Sequence, residues 1–183
     1  MKFKKTAIDG LWHVVLEPYQ DDRGSFTRLF CSREFVQNGL PGDWAQFNLS
    51  RNFHQGTLRG LHFMNLDVRE YKIVRCQKGR IYDVVADLRF CSATFRHWLS
   101  FELNEQVDEM LVIPPGCAHG FMTVCDSCEV FYGHSAFYQA ELDLGIRFDD
   151  PALNVAWPLP VRHISARDQS LPFLQDIIPS KDT

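Results

Sequence analysis

Two histidines with apolar neighbours are the first residues to test for chemistry: His62 in Arg59-Gly60-Leu61-His62-Phe63-Met64, and His119 in Pro115-Gly116-Cys117-Ala118-His119-Gly120-Phe121. A metal centre of the kind held by small β-barrels needs two histidines one residue apart on a strand, a carboxylate a few residues on and a third histidine on a later strand. Met64 stands where the second imidazole would be required, and two separated histidines make a poor metal site. Acid–base chemistry suits these residues better. A neutral imidazole titrates near physiological pH, so His62 is a candidate base. Asp168 is a candidate carboxylate to hold its tautomer and stabilise the imidazolium. Lys72 can stabilise negative charge developing on an oxygen, and Tyr132 can donate a proton. Together they describe proton abstraction beside a carbonyl. Each also has a plainer reading: His62 as a structural histidine, Asp168 as the fourth residue of a helix cap, Tyr132 as a core residue with its hydroxyl bonded at the rim, and Lys72 as a solvated strand charge. Spacing alone does not choose between these.

The cysteines add little. Cys125-Asp126-Ser127-Cys128 is a single C-x-x-C, whereas a structural zinc needs four ligands, so it reads as two ordinary thiols near a hairpin. Cys117, two residues before His119, would share a strand face with it, a conceivable but unsupported nucleophile pair.

The elements that must carry these residues read as strands. Short apolar or alternating segments recur at 25–30, 44–49, 71–77, 81–89, 97–103, 110–113, 119–124 and 129–134, and the His62 segment is a further candidate strand. In 97–103, His97, Leu99, Phe101 and Leu103 fall on one face and Trp98, Ser100 and Glu102 on the other. Turn signals at Lys78-Gly79, Pro114-Pro115-Gly116 and Asp126-Ser127 separate them, the pattern of a sandwich or barrel. An all-β, antiparallel jelly-roll fold follows. Helical signals are few: Ser32 as a cap for 33–37, ended by Asn38-Gly39, and Ser165-Ala166-Arg167-Asp168 as a second capping pattern.

The chain has 183 residues, 45% hydrophobic and 23% charged, with a net charge of −4. Disorder, collagen and coiled coil are excluded, and this length suits one domain over 1–183 that needs no disulfides. No uncharged run reaches the roughly 18 residues of a membrane span. The start, MKFKKTAIDG, lacks the apolar stretch of a secretory signal, so a cytoplasmic location and reduced cysteines are expected. Mild acidity without a Lys/Arg stripe argues against nucleic acid as a partner.

At the residues named above the chain resembles the dTDP-4-dehydrorhamnose 3,5-epimerase family, a metal-free branch of the cupins, over about 6–174. The resemblance runs through Asp22-Arg23-Gly24-x-Phe26, Gln46-x-Asn48-x-Ser50, Gly56-Thr57-Leu58-Arg59-Gly60-Leu61-His62-Phe63, Lys72-Ile73-Val74-Arg75 and Asp83-Val84-Val85-Ala86-Asp87-Leu88-Arg89. It continues through Ile113-Pro114-Pro115-Gly116-Cys117-Ala118-His119-Gly120-Phe121, Asp149-Asp150-Pro151 and Trp157-Pro158. It implies a cupin barrel acting, without cofactor or metal, on a nucleotide-linked 4-keto-6-deoxy sugar, whose ketone acidifies the hydrogens on C3 and C5. It further implies His62 as base held by Asp168, Tyr132 as the acid on the opposite face, Lys72 near the C4 oxygen and His119 as a sugar contact. Arg23 and Arg59 match diphosphate-binding positions, for which guanidinium geometry is suited. Phe26, Arg28, Gln46, Asn48, Tyr138, Asp143 and Arg167 complete the substrate-binding set that the resemblance implies. It also implies a homodimer with exchanged N-terminal strands, so that residues around 23–28 reach the partner's pocket.

Four positions depart from the family pattern: Arg28 and Asp143 where the family usually has Glu, Gly133 where Lys is frequent and Met64 where Gln is frequent. Arg28 offers only donors, which would suit a base presenting acceptors such as cytosine, so a CDP-linked sugar is an alternative to a dTDP-linked one. Pairing of Arg28 with phosphate or with Asp143 is the competing reading.

Overall fold

The computed structural model describes residues 1–65 and 67–177. Two antiparallel sheets face each other. One has six strands in the order β1 (Lys2–Lys5), β2 (Trp12–Val15), β10 (Glu109–Ile113), β7 (Lys72–Lys78), β12 (Cys128–His134), β5 (Gln46–Asn52). The other has five: β13 (Asp143–Gly145), β6 (Leu58–Met64), β11 (Cys117–Thr123), β8 (Arg80–Asp87), β9 (Trp98–Asn104). Strands β3 (Tyr19–Asp21) and β4 (Gly24–Phe26) form a separate hairpin. The all-β jelly-roll architecture is as expected from the alternation. Among the described residues no helix is long and apolar enough to cross a membrane.

Period-two alternation explains the layering. Val74 and Cys76 of β7, Leu111 and Ile113 of β10 and Val130 of β12 point inward to meet Ile81, Val85, Leu103 and Phe121 of the facing sheet. Their neighbours point outward and are covered in turn. Ile73, Met110 and Val112 pack with Phe35 of helix α1 (Ser32–Gln37), and Leu61, Val84, Ala86 and Ala118 pack under Leu153 and Leu174 of the C-terminal segment. A leucine such as Leu153 or Leu174 contributes roughly 1.5–3 kcal/mol when fully buried, so the C-terminal segment is anchored by its own apolar residues. Helices α2 (Ala166–Gln169) and α3 (Leu174–Ile177) lie in that segment.

Several local expectations are corrected. The strand read at 25–30 stops at Phe26, and that read at 44–49 runs from Gln46 to Asn52. The N-cap of α1 is Cys31, without a side-chain hydrogen bond, and Ser32 is already helical. Strands β1, β2, β3 and β13 had no clear signal: each has three or four residues, too few for alternation to register, and KFKK of β1 is mostly charged.

Candidate active site

A cavity of about 400 Å³ opens between the sheets, within the size range of small-molecule sites. Strand register gathers its lining. Across β5, β12 and β7, Gln46, His134 and Lys72 stand opposite one another, and one step along Asn48 faces Tyr132. On the other wall His62 of β6 faces His119 of β11. The β6–β11 register shifts between His119 and Phe121, so the alternation changes phase and Arg59 joins His62 in lining the cavity. Glycine is required here: a Cβ on Gly60 would stand 2.5 Å from Gly120 Cα, and one on Gly120 would stand 2.8 Å from the Arg59 carbonyl.

Asp168 arrives from α2. Ser165 caps this helix, its Oγ accepting from the Asp168 amide at 3.0 Å. The Asp168 carboxylate is turned away from the cap: Oδ1 lies 2.8 Å from His62 Nε2, and Oδ2 accepts from the Gly60 amide at 3.2 Å. The Asp168 backbone amide thus serves the cap, while its side chain, instead of closing a capping box, meets the histidine. Burial would raise the Asp168 carboxyl, but the bond and charge of His62 and the Gly60 and Ser165 contacts outweigh it and hold the group below the usual range.

His119 forms a second, deeper pair, its Nε2 2.8 Å from Asp83 Oδ2, while Asp83 Oδ1 is buried without a hydrogen-bond partner among the described residues. Burial pushes Asp83 up, against the opposing influence of His119 and Lys72. Burial also pushes the Tyr132 phenol well above its usual range, with Asp83 adding to the effect and Arg59 opposing it. That environment favours the neutral phenol over the phenolate. Lys72 Nζ lies 3.8 Å from Glu70, whose other oxygen is 2.9 Å from His134 Nδ1. The His134 ring stacks on Tyr132 at 6.1 Å between centroids.

Arg59 Nε donates to Asn52 Oδ1 at 2.7 Å, which orients its guanidinium. At the rim, the Tyr138 amide donates to Gln46 Oε1 at 3.2 Å, and Arg167 pairs with Asp143 at 2.8 Å. Of the residues singled out from the sequence, His62, Tyr132, Asp168, Lys72, Gln46, Asn48, Arg59, His119, Tyr138, Asp143 and Arg167 all line this one cavity. Arg23, Phe26 and Arg28 do not. Arg23 and Phe26 lie on the exposed β3–β4 hairpin, where Arg23 pairs with Asp21. Arg28 pairs with Glu34 at 3.1 Å and so does not meet Asp143, which is engaged by Arg167.

Asp83, Glu70, His134, Ser50 and Asn52 were not singled out as site residues. Period-two alternation was a signal for three of them: Asp83 two residues before Val85, Ser50 two after Asn48 and His134 two after Tyr132; Glu70 and Asn52 depend on neighbours that local sequence does not specify. Cys117 is buried in the core, which pushes its thiol up to about 12, and His119 is committed to Asp83, so the two form no nucleophile pair.

Comparison with known proteins agrees with this geometry. The family description dTDP-4-dehydrorhamnose 3,5-epimerase matches residues 5–176. The enzyme of that name from Methanothermobacter thermautotrophicus is 39% identical over 86% of this chain and 84% of its own. A dTDP-4-dehydrorhamnose 3-epimerase from Streptomyces niveus is 31% identical over 96% of this chain and 85% of its own. The crystal structure of the Legionella pneumophila 3,5-epimerase in complex with dTDP-4-keto-L-rhamnose superposes with a TM-score of 0.90 at 30% identity, over 97% of this chain and 94% of its own. With a matching family over nearly the whole chain and the same barrel, this chain belongs to the dTDP-4-dehydrorhamnose 3,5-epimerase family.

Proposed function

We propose that the protein inverts C3, C5 or both of a dTDP-linked 4-keto-6-deoxyhexose through an enolate, in deoxysugar biosynthesis. The observation that carries this reading is the His62–Asp168 pair opening, together with Tyr132, into one cavity. Asp168 accepts from Nε2–H, which leaves Nδ1 as the lone pair for the sugar hydrogen. The Asp168 charge stabilises the imidazolium that results. Lys72 offsets charge on the C4 oxygen. Tyr132 returns a proton from the opposite face, since inversion needs a donor and an acceptor on two sides. His119, held by Asp83, contacts the sugar; Arg59 binds diphosphate, and Gln46, Asn48, Tyr138, Asp143 and Arg167 bind the remainder of the nucleotide sugar.

Arg23, Phe26 and Arg28 reach the pocket of a second copy in a homodimer. Support comes from the β3–β4 hairpin, which is separate from both main sheets and leaves Phe26 74% exposed. The six free cysteines fit a reducing, cytoplasmic setting.

The Streptomyces niveus relative is named for inversion at one carbon, and the same residues would serve that reaction too. Solvent deuterium incorporation followed by NMR, run on dTDP- and CDP-linked 4-keto sugars, tests the proposal. Label at C3 and C5 is expected for double inversion and label at one carbon for a single inversion. Label preferentially in the CDP-linked sugar would assign Arg28 to the base. Binding without any wash-in would instead make the protein a nucleotide-sugar-binding module.

A further inference from the structure

Away from the cavity, at the ends of β7 and β12 opposite Lys72 and His134, two thiols meet. Cys125 and Cys128 flank the Asp126-Ser127 turn joining β11 to β12, and their Sγ atoms are 3.5 Å apart without a bond between them. Both lean over the β7–β8 turn at Gly79. A Cβ there would stand 2.8 Å from Cys128 Sγ and 3.1 Å from Cys125 Sγ, so the glycine is what leaves room for two sulfurs. Cys128 is buried, with its Sγ 3.2 Å from the Arg80 carbonyl and 3.3 Å from the Cys125 carbonyl. Cys125 is only half-buried. Burial pushes the Cys128 thiol up to about 11, which leaves Cys125 as the sulfur that meets a reagent first.

We propose that Cys125 and Cys128 are a modification site that forms a reversible disulfide with low-molecular-weight disulfides such as oxidised glutathione. The Cys125 thiolate attacks one reagent sulfur; the reagent S–S bond breaks, and the departing thiolate takes a proton from water. Cys128 then gives its proton to solvent and attacks the Cys125 sulfur, forming the protein disulfide and expelling the second reagent thiolate, which is protonated in turn. Two protein thiols and one reagent disulfide become one protein disulfide and two reagent thiols. The sulfurs need only close from 3.5 Å to a bond length of about 2.05 Å across a two-residue turn. Cys76 and Cys117 lack this access, since both are buried in the core.

The test uses the full chain carrying Cys91→Ser, because Cys91 is exposed and would take up an adduct of its own. The protein is incubated with oxidised glutathione, acid-quenched, denatured, alkylated with N-ethylmaleimide and analysed by intact mass and peptide mapping. Expected are a mass about 2 Da lower before alkylation, the two hydrogens lost, and two fewer maleimides, both missing from Cys125 and Cys128. Adding Cys125→Ser should restore the maleimide at Cys128. Full alkylation after prolonged exposure, a glutathione adduct that persists on Cys125, or a disulfide joining any other pair would overturn the proposal.

Discussion

Replacing Asp168 with Asn changes the charge and proton count of the His62 pair while keeping its shape. The side chain is 6% exposed, and its carboxylate makes two contacts, 2.8 Å to His62 Nε2 and 3.2 Å to the Gly60 amide. An Asn that keeps its oxygen on Gly60 turns its amide toward Nε2, which must then carry a lone pair, so the proton moves to Nδ1, the atom assigned to take hydrogen from the sugar. An Asn flipped the other way abandons the Gly60 amide. Either way the negative charge that stabilises the imidazolium is gone. General-base catalysis is worth about 10²–10⁴-fold, so exchange at the sugar carbon should fall by that factor, about 2.7–5.5 kcal/mol of transition-state stabilisation at 1.36 kcal/mol per tenfold. The loss in folding stability should be smaller, about 1–3 kcal/mol for one charge-assisted hydrogen bond. Deuterium wash-in under saturating substrate, with urea denaturation alongside, separates the two. A folded Asp168→Asn protein exchanging within about threefold of wild type would refute the reasoning.

Three further outcomes are expected. Tyr132→Phe should keep proton abstraction, seen as deuterium wash-in, while inverted product falls; equal rates of product formation in variant and wild type would reduce Tyr132 to packing. If the hairpin crosses between copies, mixing inactive Arg23→Ala and His62→Ala chains should restore activity, since one hybrid site then carries both intact residues; no recovery after subunit exchange would contradict the crossing. Asp87 is fully buried; burial raises its carboxyl, but Arg89, Ser92 and Thr94 together bring it down to about 2 from 3.8. A depressed carboxyl stabilises the fold above its unfolded value and loses that contribution as pH falls. The stability gap between wild type and Asp87→Asn, by urea denaturation, should therefore shrink by on the order of 2 kcal/mol between pH 5 and pH 2, and a constant gap would oppose this.

How far the sequence could be read depended on whether a signal was local. Alternation in β7, β8, β11 and β12 marks which side chains point inward, and turn residues mark where strands end, so the barrel was visible without coordinates. The Ser165 cap was equally local. Pairings made across the fold were different. Asp168 meets His62 over 106 positions, and nothing within either segment encodes that distance: the residue types alone make Asp168 a candidate with a plainer reading beside it, and the family resemblance is what implies the pair. Glu70 with His134, and Asp83 with His119, are likewise pairs that only the topology makes, by setting β7 beside β12 and β8 beside β11. Arg28 shows the reverse hazard: charge complementarity offered Asp143, but the chain supplies nearer partners, Glu34 to Arg28 and Arg167 to Asp143.

The account turns on the imidazole of His62, and the most direct measurement is solvent deuterium incorporation into a dTDP-linked 4-keto-6-deoxy sugar by His62→Ala. The wild-type protein should label the sugar and the variant should show no exchange above the no-enzyme control, because His62 is the imidazole assigned to take the sugar hydrogen and alanine offers no base in its place. Exchange at the wild-type rate in a folded His62→Ala protein would contradict the assignment and move the base to another residue.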